Sequence, residues 1–479
     1  MFPVELRVLG GVREIGGNRI LLRSSNESIF LDYGKNFLRE EEFFQRPFMS
    51  PSFSEDYLKT GLISSLEHEN LRGVLISHAH QDHWGYLNLL PQGIEVYMGE
   101  AAGKIIGANV ELGYAEEVLH TIRTFRTGDT ISLGDFSIVP IHVDHSVPGS
   151  YGFLIECGNI KLAYTGDLRM HGPRRDMTLD FIDEAASMGV DALIMEATKV
   201  APENDPETSI IRLLETRLFY RWGVEPPKRI KFELSNEEEV TERIKSVCEG
   251  SDSIILIETS SSDADRIRSV FEAAKKLSRV LVMDERIAFI NEAMKGAGIN
   301  GLPGIGDYLL WRRKRRGEGE ERTSSRERRG MRIFIERFED LSGEEAIIQG
   351  ERRAEIFKEP HNFLVLTSNA TRFLYEIPMD AKVRLDFILS RSESFSEESA
   401  LSLDRLMNWL LLYGVRRYYR IHVSGHMMPE QMGEFVESIN PGRIIPIHTE
   451  HPDLFDAFIP RRMRDLIILP EYGKLIKLG

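Results

Sequence analysis

The sequence predicts an α/β protein in which both ends of the chain form one strand-rich unit and the middle forms a second, inserted unit. Short apolar runs that end in His, Asp or Glu occur near the beginning of the chain and again near its end. Between them, apolar runs alternate with helix-like stretches, a pattern typical of a parallel sheet. We therefore predict domains at 1–205, 206–415 and 416–479, with the middle one inserted into a single unit formed by the other two.

The composition excludes several classes of protein. The 479 residues are 42% hydrophobic and 28% charged, which is typical of an ordinary globular protein with two or three domains. A formal net charge of −15 argues against a protein that coats nucleic acid through its overall charge. Because no apolar run is long enough to span a membrane and no signal-peptide pattern follows Met1, we expect a cytoplasmic protein without membrane contact. Cys157 and Cys248 have no metal-ligand spacing and are expected to be buried thiols.

The first part of the chain is predicted to be rich in β-strands. Apolar runs at 5–10, 18–22 and 28–31 are separated by turns containing Gly, Asn and Asp. Asp32 stands where the third run ends. Its local sequence is compatible with two roles: a turn residue that caps backbone amides, or a carboxylate that orients a ligand histidine.

The densest group of chemically active side chains is formed by His78, His80, Asp82 and His83, directly after the apolar run 73–77. A strand ending there would spread nitrogen and oxygen ligands for zinc-like divalent ions over a tight turn. Four ligands from so short a segment rarely serve one ion, so we predict two adjacent sites. A polar turn without a metal is disfavoured, because four unpaired groups of this kind are costly away from water.

Three later side chains also follow predicted strands. The run 136–143 leads to a loop with His145, whereas His142 lies within the alternating pattern of the run itself. We favour His145 as the ligand because ligands cluster at the ends of strands. Asp167 follows another apolar run and is a candidate for a carboxylate that bridges two ions, and Glu196 ends a further run.

The middle of the chain predicts a parallel sheet. Apolar runs at 253–258 and 279–284 are separated by a helix predicted over 263–277, which gives a strand–helix–strand unit. Within this part, residues 311–330 include nine Arg or Lys against four Glu. This basic segment is compatible with a solvated loop or with contact to a phosphate backbone.

The end of the chain returns to the first pattern. The run that begins at Arg420 continues into Ser424, Gly425 and His426, and a final apolar run ends at His448. Candidate ligands at both ends of the chain, with an α/β segment between them, indicate an inserted domain.

This set of motifs resembles the metallo-β-lactamase-fold hydrolases, and among them the β-CASP nucleases, over nearly the whole chain. The four motifs of the fold are matched by Asp32, His78-Ala-His-Gln-Asp-His83, His145 and Asp167. The three motifs of the β-CASP group are matched by Glu196, His426 and His448. The stretch from His422 to His426 is similar to that of the RNase J group in particular.

The resemblance implies a metallo-β-lactamase αββα sandwich with an inserted β-CASP domain, and two zinc ions, with manganese as an alternative. The first ion would be held by His78, His80, His145 and Asp167. The second would be held by Asp82, His83, Asp167 and His448. Behind these ligands, the resemblance implies supporting roles for Asp32 and Glu196. The catalytic residues would be Asp82, Asp167, Glu196 and His426, and the substrate phosphate would be bound by Ser424, Gly425 and His426.

The resemblance further implies hydrolysis of phosphodiester bonds in single-stranded RNA, with His426 donating a proton to the leaving oxygen or binding the phosphate. The histidine at 448 favours RNA over DNA as the substrate. We expect a 5′-to-3′ exoribonuclease, an endoribonuclease, or both, acting in RNA processing and decay. The alternatives are a 3′-end-processing endonuclease, an inactive RNA-binding subunit and a small-molecule hydrolase. A homodimer is left open.

The chain departs from the RNase J pattern in two places. Thr449 and Glu450 follow His448 where the family usually has Gly-Glu, and the nucleotide-contacting loop of the inserted domain reads Thr-Ser-Asn-Ala-Thr over 367–371. These departures leave the predicted metal ligands intact and bear on recognition of the 5′ end.

Overall fold

The computed structural model describes residues 4–44, 49–51, 53–64, 70–202, 228–232, 234–313, 329–378, 381–391, 397–415 and 417–478. Most of the basic segment 311–330 lies outside these residues. The chain forms two compact units. The first consists of Met1–Ile106, Glu116–Glu203 and Ser424–Gly479, and the second of Gly107–Ala115 and Asn204–Val423. The domain boundaries predicted from the sequence stay a prediction.

The first unit begins with a mixed sheet. Its strands are β1 (Val4–Gly10), β2 (Arg19–Arg23), β3 (Ser28–Leu31), β4 (Leu71–Ile76), β5 (Glu95–Gly99) and β6 (Thr121–Phe125). They lie side by side in this order, antiparallel from β1 to β3 and parallel from β3 to β6. Strand β3 is buried on both faces, as continuous apolar runs in parallel sheets usually are. The helices of this part are α1 (Phe37–Phe43), α2 (Ser54–Lys59), α3 (Gln81–Trp84) and α4 (Glu100–Glu111), and α4 belongs to the second unit from Gly107 onward.

A second sheet follows in the same unit. Its strands are β7 (Ile131–Leu133), β8 (Phe136–Val143), β9 (Ser150–Cys157), β10 (Ile160–Tyr164) and β11 (Ala192–Glu196). Strands β7 to β10 form an antiparallel meander, and β11 pairs with β10 in parallel. Helix α5 (Arg175–Met188) connects β10 to β11, as a parallel connection requires.

The second unit contains an eight-stranded sheet in which every pair of neighbouring strands is parallel. Its strands are β12 (Lys228–Lys231), β13 (Ile254–Glu258), β14 (Val280–Asp284), β15 (Leu309–Trp311), β16 (Ile347–Ile348), β17 (Phe363–Thr367), β18 (Leu385–Leu389) and β19 (Arg417–Arg420). Its helices are α6 (Glu237–Glu249), α7 (Ala264–Lys276), α8 (Glu285–Gly296), α9 (Arg329–Ser342), α10 (Ala370–Tyr375) and α11 (Glu397–Leu412). The predicted parallel α/β sheet is therefore confirmed. Asn236, Asp263 and Asp284 cap α6, α7 and α8 by accepting backbone N–H groups.

The last elements return to the first unit. They are α12 (Pro429–Ile439), β20 (Ile444–Ile447) and β21 (Ile476–Leu478). Strand β20 pairs with β11 in parallel, and β21 pairs with β1 in the first sheet. Both ends of the chain thus build the same unit, and the second unit is inserted between them in the sequence.

The core of the first unit follows from the two-residue period of its strands. Along β10, Leu162 and Tyr164 point into the core formed with residues of the first sheet, such as Leu6 and Ile20. Ala163, between them, points to the opposite face, where it belongs to a second core that includes residues of α5 and α12. The two sheets therefore pack face to face, with helices on the outer face of the second sheet.

The composition led to two expectations, one about the two cysteines and one about membrane-spanning helices. Cys157 and Cys248 are free and buried, and burial raises the pKa of the Cys157 thiol to about 11. Both are therefore inert thiols. Within the described ranges, none of the helices combines the length and the apolar character needed to cross a bilayer.

Candidate metal centre

The candidate site lies in the first unit, where strands that run in the same direction end. Strands β3 and β4 are parallel in the first sheet, and β10, β11 and β20 are parallel in the second. Strand β8 has the same direction as β10, because both are antiparallel to β9. The carboxyl ends of such strands meet at one edge of each sheet, so the side chains that follow them come together there.

The first ligand group joins the end of β4 to the ends of β8 and β10. His78 Nε2 lies 3.0 Å from His80 Nδ1, which lies 3.3 Å from His145 Nε2. Asp167 Oδ2 is 3.6 Å from His78 Nε2, and the four ligand atoms lie within 4.8 Å of one another. Burial lowers the pKa of each of the three histidines. Their imidazoles are therefore neutral at pH 7 and offer a lone pair to a metal.

The second ligand group contains Asp82, His83 and His448. Asp82 Oδ2 lies 3.3 Å from His448 Nε2 and 3.9 Å from His83 Nε2. Asp167 faces this group as well, with Oδ2 at 3.3 Å from His83 Nε2. Burial lowers the pKa of His83 and His448, but the neighbouring carboxylates, led by Asp167, outweigh burial and raise it. A metal ion that binds here competes with protons for the nitrogens of His83 and His448.

Asp167 provides a test of whether a metal fits the cluster. Its Oδ1 atom is buried and accepts no hydrogen bond from any residue that the structure describes. Burial raises the pKa of Asp167, but His448, His83 and His426 together hold it well below its usual range. An ionised carboxylate buried here needs positively charged partners, which protonated His83 and His448, at 3.3 and 3.4 Å, or a bound metal ion can supply. Imidazole nitrogens and carboxylate oxygens are ligands for zinc and manganese, so these residues fit divalent metal ions.

Asp32 lies behind the second group and fixes the His83 ring. Its Oδ2 atom is 2.7 Å from His83 Nδ1 and accepts hydrogen bonds from the hydroxyls of Tyr164, at 2.5 Å, and Ser77, at 2.8 Å. Its Oδ1 atom accepts the Ser77 backbone N–H at 2.7 Å. Asp32 also has a left-handed backbone with φ of 58°, a strained conformation that the surrounding structure must hold. Of the two roles that the sequence left open, these contacts favour orientation of a ligand.

Glu196 and His426 form a pair beside the ligands. Glu196 Oε1 lies 3.3 Å from His426 Nδ1 and accepts the backbone N–H of Met427 at 3.1 Å. The His426 side chain is 18% exposed to solvent, whereas the side chains of His78 and His83 are fully buried. His80 is partly exposed as well, but His426 is the partly exposed histidine that lies outside the two proposed ligand sets. Its Nδ1 is also 3.7 Å from Asp167 Oδ2, and Asp167, His426 and His448 form a third group with metal-ligand spacing.

Sequence reasoning missed several residues that hold the ligands. Thr198 Oγ1 lies 2.8 Å from His448 Nδ1, and the Thr198 N–H donates to Glu196. Asn18 Nδ2 lies 3.0 Å from His83 Nε2. The position of Thr198, two residues beyond the end of β11, was a signal that could have identified it. Asn18 directly precedes β2, whose start lies beside the end of β3 because the two strands are antiparallel. Nothing in its local sequence marks it.

His142 takes no part in the cluster. Its ring stacks on Tyr151 with 4.1 Å between the ring centroids, as expected for a packed strand residue. Burial and then the charge of Arg174 lower its pKa to about 4. The unfolded chain, with an ordinary histidine pKa of about 6.5, binds this proton more readily. The free energy of unfolding therefore falls as the pH drops from about 6.5 to about 4.

The free energy of unfolding of the wild type should fall between pH 7 and pH 4.5 as the unfolded chain takes up the His142 proton. In the variant His142→Phe we expect this fall to be smaller by about 1 to 3 kcal/mol. Urea unfolding of both proteins at the two pH values measures this difference. The exposed His361, replaced by Phe, is the control and should lose as much as the wild type. If His142→Phe lost as much unfolding free energy as the wild type between the two pH values, the lowered pKa of His142 would be contradicted.

Comparisons with known proteins agree with the geometry. A family model described as "Beta-lactamase superfamily domain" matches residues 51–213. A protein named Ribonuclease J from Sinorhizobium meliloti is 24% identical over 401 residues, which cover 80% of this chain and 58% of the relative. Ribonuclease J from Pyrococcus abyssi is also 24% identical, over 93% of this chain and 90% of the relative. The chain thus spans little more than half of the first relative and most of the second.

A solved structure extends the similarity of fold to the whole chain. A protein of unknown function from Enterococcus faecalis V583 superposes with a TM-score of 0.69, covering 99% of this chain and 100% of that one at 18% identity. At this low sequence identity, the superposition is evidence for a shared fold alone. Together with the family model, it confirms the predicted metallo-β-lactamase fold. Residues 51–213 of this chain are thus similar to the beta-lactamase superfamily domain, and over most of its length the chain resembles the ribonucleases J.

Proposed function

We propose that this protein is a two-metal ribonuclease that hydrolyses phosphodiester bonds in single-stranded RNA. The observation that carries the proposal is the pair of ligand groups that share Asp167. Relatives named Ribonuclease J, similar over most of this chain, support RNA as the substrate. The second unit, with its wholly parallel sheet, is proposed to be the β-CASP domain.

Two zinc ions are the proposed cofactors, with manganese as the alternative. One would be held by His78, His80, His145 and Asp167. The other would be held by Asp82, His83, Asp167 and His448. When bound, such ions supply the Lewis acidity that polarises a phosphodiester and activates water. Asp32 and Thr198 keep His83 and His448 oriented through the hydrogen bonds described above.

His426 is proposed to donate the proton that the leaving oxygen requires. Glu196 faces Nδ1 of this ring at 3.3 Å, so Nδ1 is occupied and the second nitrogen, Nε2, remains for the substrate. A general acid held in this way typically contributes a rate factor of about 10² to 10⁴.

Ser424 and Gly425 are proposed to lie beside the substrate phosphate. The Ser424 hydroxyl oxygen accepts the His426 N–H at 3.1 Å, which leaves its own proton for a phosphate oxygen. The Gly425 carbonyl lies 2.5 Å from His145 Nδ1, so this carbonyl serves the metal ligand. A Cβ atom on Gly425 would lie 2.7 Å from Ser146 Oγ and 3.1 Å from His145. A residue with a side chain would therefore be too close to Ser146 and His145, which explains why position 425 is a glycine.

The proposed nucleotide-contacting loop of the second unit has an unusual internal partner. Asp284 Oδ2 accepts hydrogen bonds from Thr367 Oγ1 at 2.8 Å, the Ser368 N–H at 2.6 Å and Ser368 Oγ at 2.9 Å. These donors would otherwise suit a phosphate, but they already bind a carboxylate of the chain. We therefore propose that cleavage depends only weakly on a phosphate at the 5′ end of the RNA.

The experiment that tests the proposed function is digestion of a single-stranded RNA by the zinc-loaded wild type and by His448→Ala. The RNA carries a label at either end and a 5′ monophosphate, triphosphate or hydroxyl. We expect cleavage by the wild type at rates that differ less than about threefold among the three 5′ ends, and loss of cleavage in the variant because one metal loses a ligand.

The products distinguish the modes of action. Release of mononucleotides from the 5′ end would establish a 5′-to-3′ exonuclease, and internal fragments alone would establish an endonuclease. A strong preference for the monophosphate would refute the role given to Asp284. No cleavage by the wild type would overturn the proposed function and favour an RNA-binding subunit.

A further inference from the structure

The segment that carries Ser424, Gly425 and His426 has no regular structure of its own. Between residue 421 and the start of α12 at Pro429, the backbone forms neither helix nor strand. No backbone ladder therefore fixes the direction of the His426 side chain. The orientation of this ring must depend on individual contacts made by the segment.

Two of these contacts come from the site itself. The Gly425 carbonyl meets His145, and the Met427 N–H donates to Glu196 at 3.1 Å. They hold the segment from the side of the ligands. They do not hold the Ser424 carbonyl, which lies at the beginning of the turn that leads to His426.

The Ser424 carbonyl is held by a histidine that has no role in the proposed chemistry. His171 Nε2 lies 2.9 Å from the Ser424 carbonyl oxygen, so this nitrogen donates. Its Nδ1 lies 3.2 Å from Gln431 Oε1, and Gln431 in turn accepts the Met428 N–H at the start of α12. His171 thus holds Ser424, before His426, through Nε2, and its Nδ1 lies beside Gln431, which meets Met428 after His426.

A buried ion pair supports the same place. Arg169 is fully buried, and its Nε lies 3.3 Å from Asp144 Oδ1, while its Nη1 donates to the Ser424 carbonyl at 3.5 Å. Asp144 also faces Arg174, at 3.4 Å, and Arg174 donates to the His145 carbonyl at 2.7 Å. The loop of His145 and the loop of His426 are therefore held by one set of contacts.

The backbone is adapted to this arrangement. A Cβ atom on Gly172 would lie 2.1 Å from Arg169 Nε and 2.2 Å from Asp144 Oδ2. A glycine is therefore required directly after His171 for the chain to pass over the ion pair. His171 itself is half-buried, so its replacement leaves the core and this ion pair in place.

We propose that His171 is a positioning residue: by holding the Ser424 carbonyl, it aims the His426 ring at the leaving oxygen of the substrate. The inference rests on the proposed function, because it assigns His171 a role in the same proton transfer. His171 touches neither the metal ligands' coordinating atoms nor, in this proposal, the substrate. It acts only through the segment Ser424 to His426.

The test compares two substrates that differ in their need for a proton at the leaving group. One is single-stranded RNA, whose leaving oxygen must be protonated. The other is the p-nitrophenyl ester of a nucleoside 5′-monophosphate, whose leaving group departs as a stable anion. We expect His171→Ala to lower kcat on RNA about tenfold with little change in KM, and to change turnover of the ester less than twofold. Zinc content and the thermal unfolding temperature should match those of the wild type.

Two further variants sharpen the result. His171→Gln keeps a side-chain N–H that can reach the Ser424 carbonyl, so it should recover most of the activity on RNA. His361→Ala replaces an exposed histidine of the second unit and should behave as the wild type. Equal losses on both substrates, or no loss on RNA, would overturn the role of His171 while leaving the ribonuclease activity established. A wild type without activity on RNA would instead remove the proposed function itself.

Discussion

Replacement of Asp167 by asparagine is expected to lower kcat for RNA cleavage on the order of a thousandfold, equivalent to about 4 kcal/mol in the activation free energy. Asp167 faces both ligand groups, at 3.6 Å from His78 and 3.3 Å from His83. An amide removes the negative charge and turns one oxygen acceptor into a donor, so each of the two proposed metal ions would lose an anionic ligand. The variant should therefore also bind less zinc.

The measurement combines initial rates on RNA with zinc content determined by elemental analysis after dialysis. Asp183→Asn is the matched control, because Asp183 is an exposed carboxylate on α5 of the same unit. It should keep full activity and full zinc content. An Asp167→Asn variant that retains both zinc and rate would contradict the shared-ligand assignment.

Replacement of His426 by alanine is expected to lower kcat on RNA about a hundredfold, the lower part of the range for loss of a general acid. Zinc content should stay that of the wild type, because neither proposed ligand set includes His426. The same zinc analysis and rates, measured on the holoenzyme, check both expectations. Their combination separates His426 from Asp167, for which rate and metal content fall together.

A different outcome would reassign His426. Asp167, His426 and His448 also have metal-ligand spacing, so a loss of zinc in His426→Ala would identify His426 as a ligand. An unchanged rate would exclude it from the chemistry. Either result would also remove the basis of the role given to His171.

The sequence alone was enough to predict the fold class and the composition of the candidate centre. The spacing from His78 to His83 after an apolar run predicts ligands, because a strand that ends in a turn presents adjacent side chains together. The preference for His145 over His142 followed from the same rule, and the structure brings His145 into the first group and packs His142 on Tyr151. These inferences are local, since each depends on one strand and the residues directly after it.

The tertiary structure decided which residues hold the ligands and which donors remain for a substrate. Thr198 meets His448 across 250 positions, and His171 meets Ser424 across 253. Contacts over such separations depend on which strand ends lie side by side, and the local pattern of polar and apolar residues does not encode them. The contact between Asp284 and Ser368 could not be predicted for the same reason. It forms because β14 and β17, which end beside these residues, are neighbours in the parallel sheet. The sequence by itself thus determined the chemistry available at each strand end, and the packing of the strands determined how those groups are held.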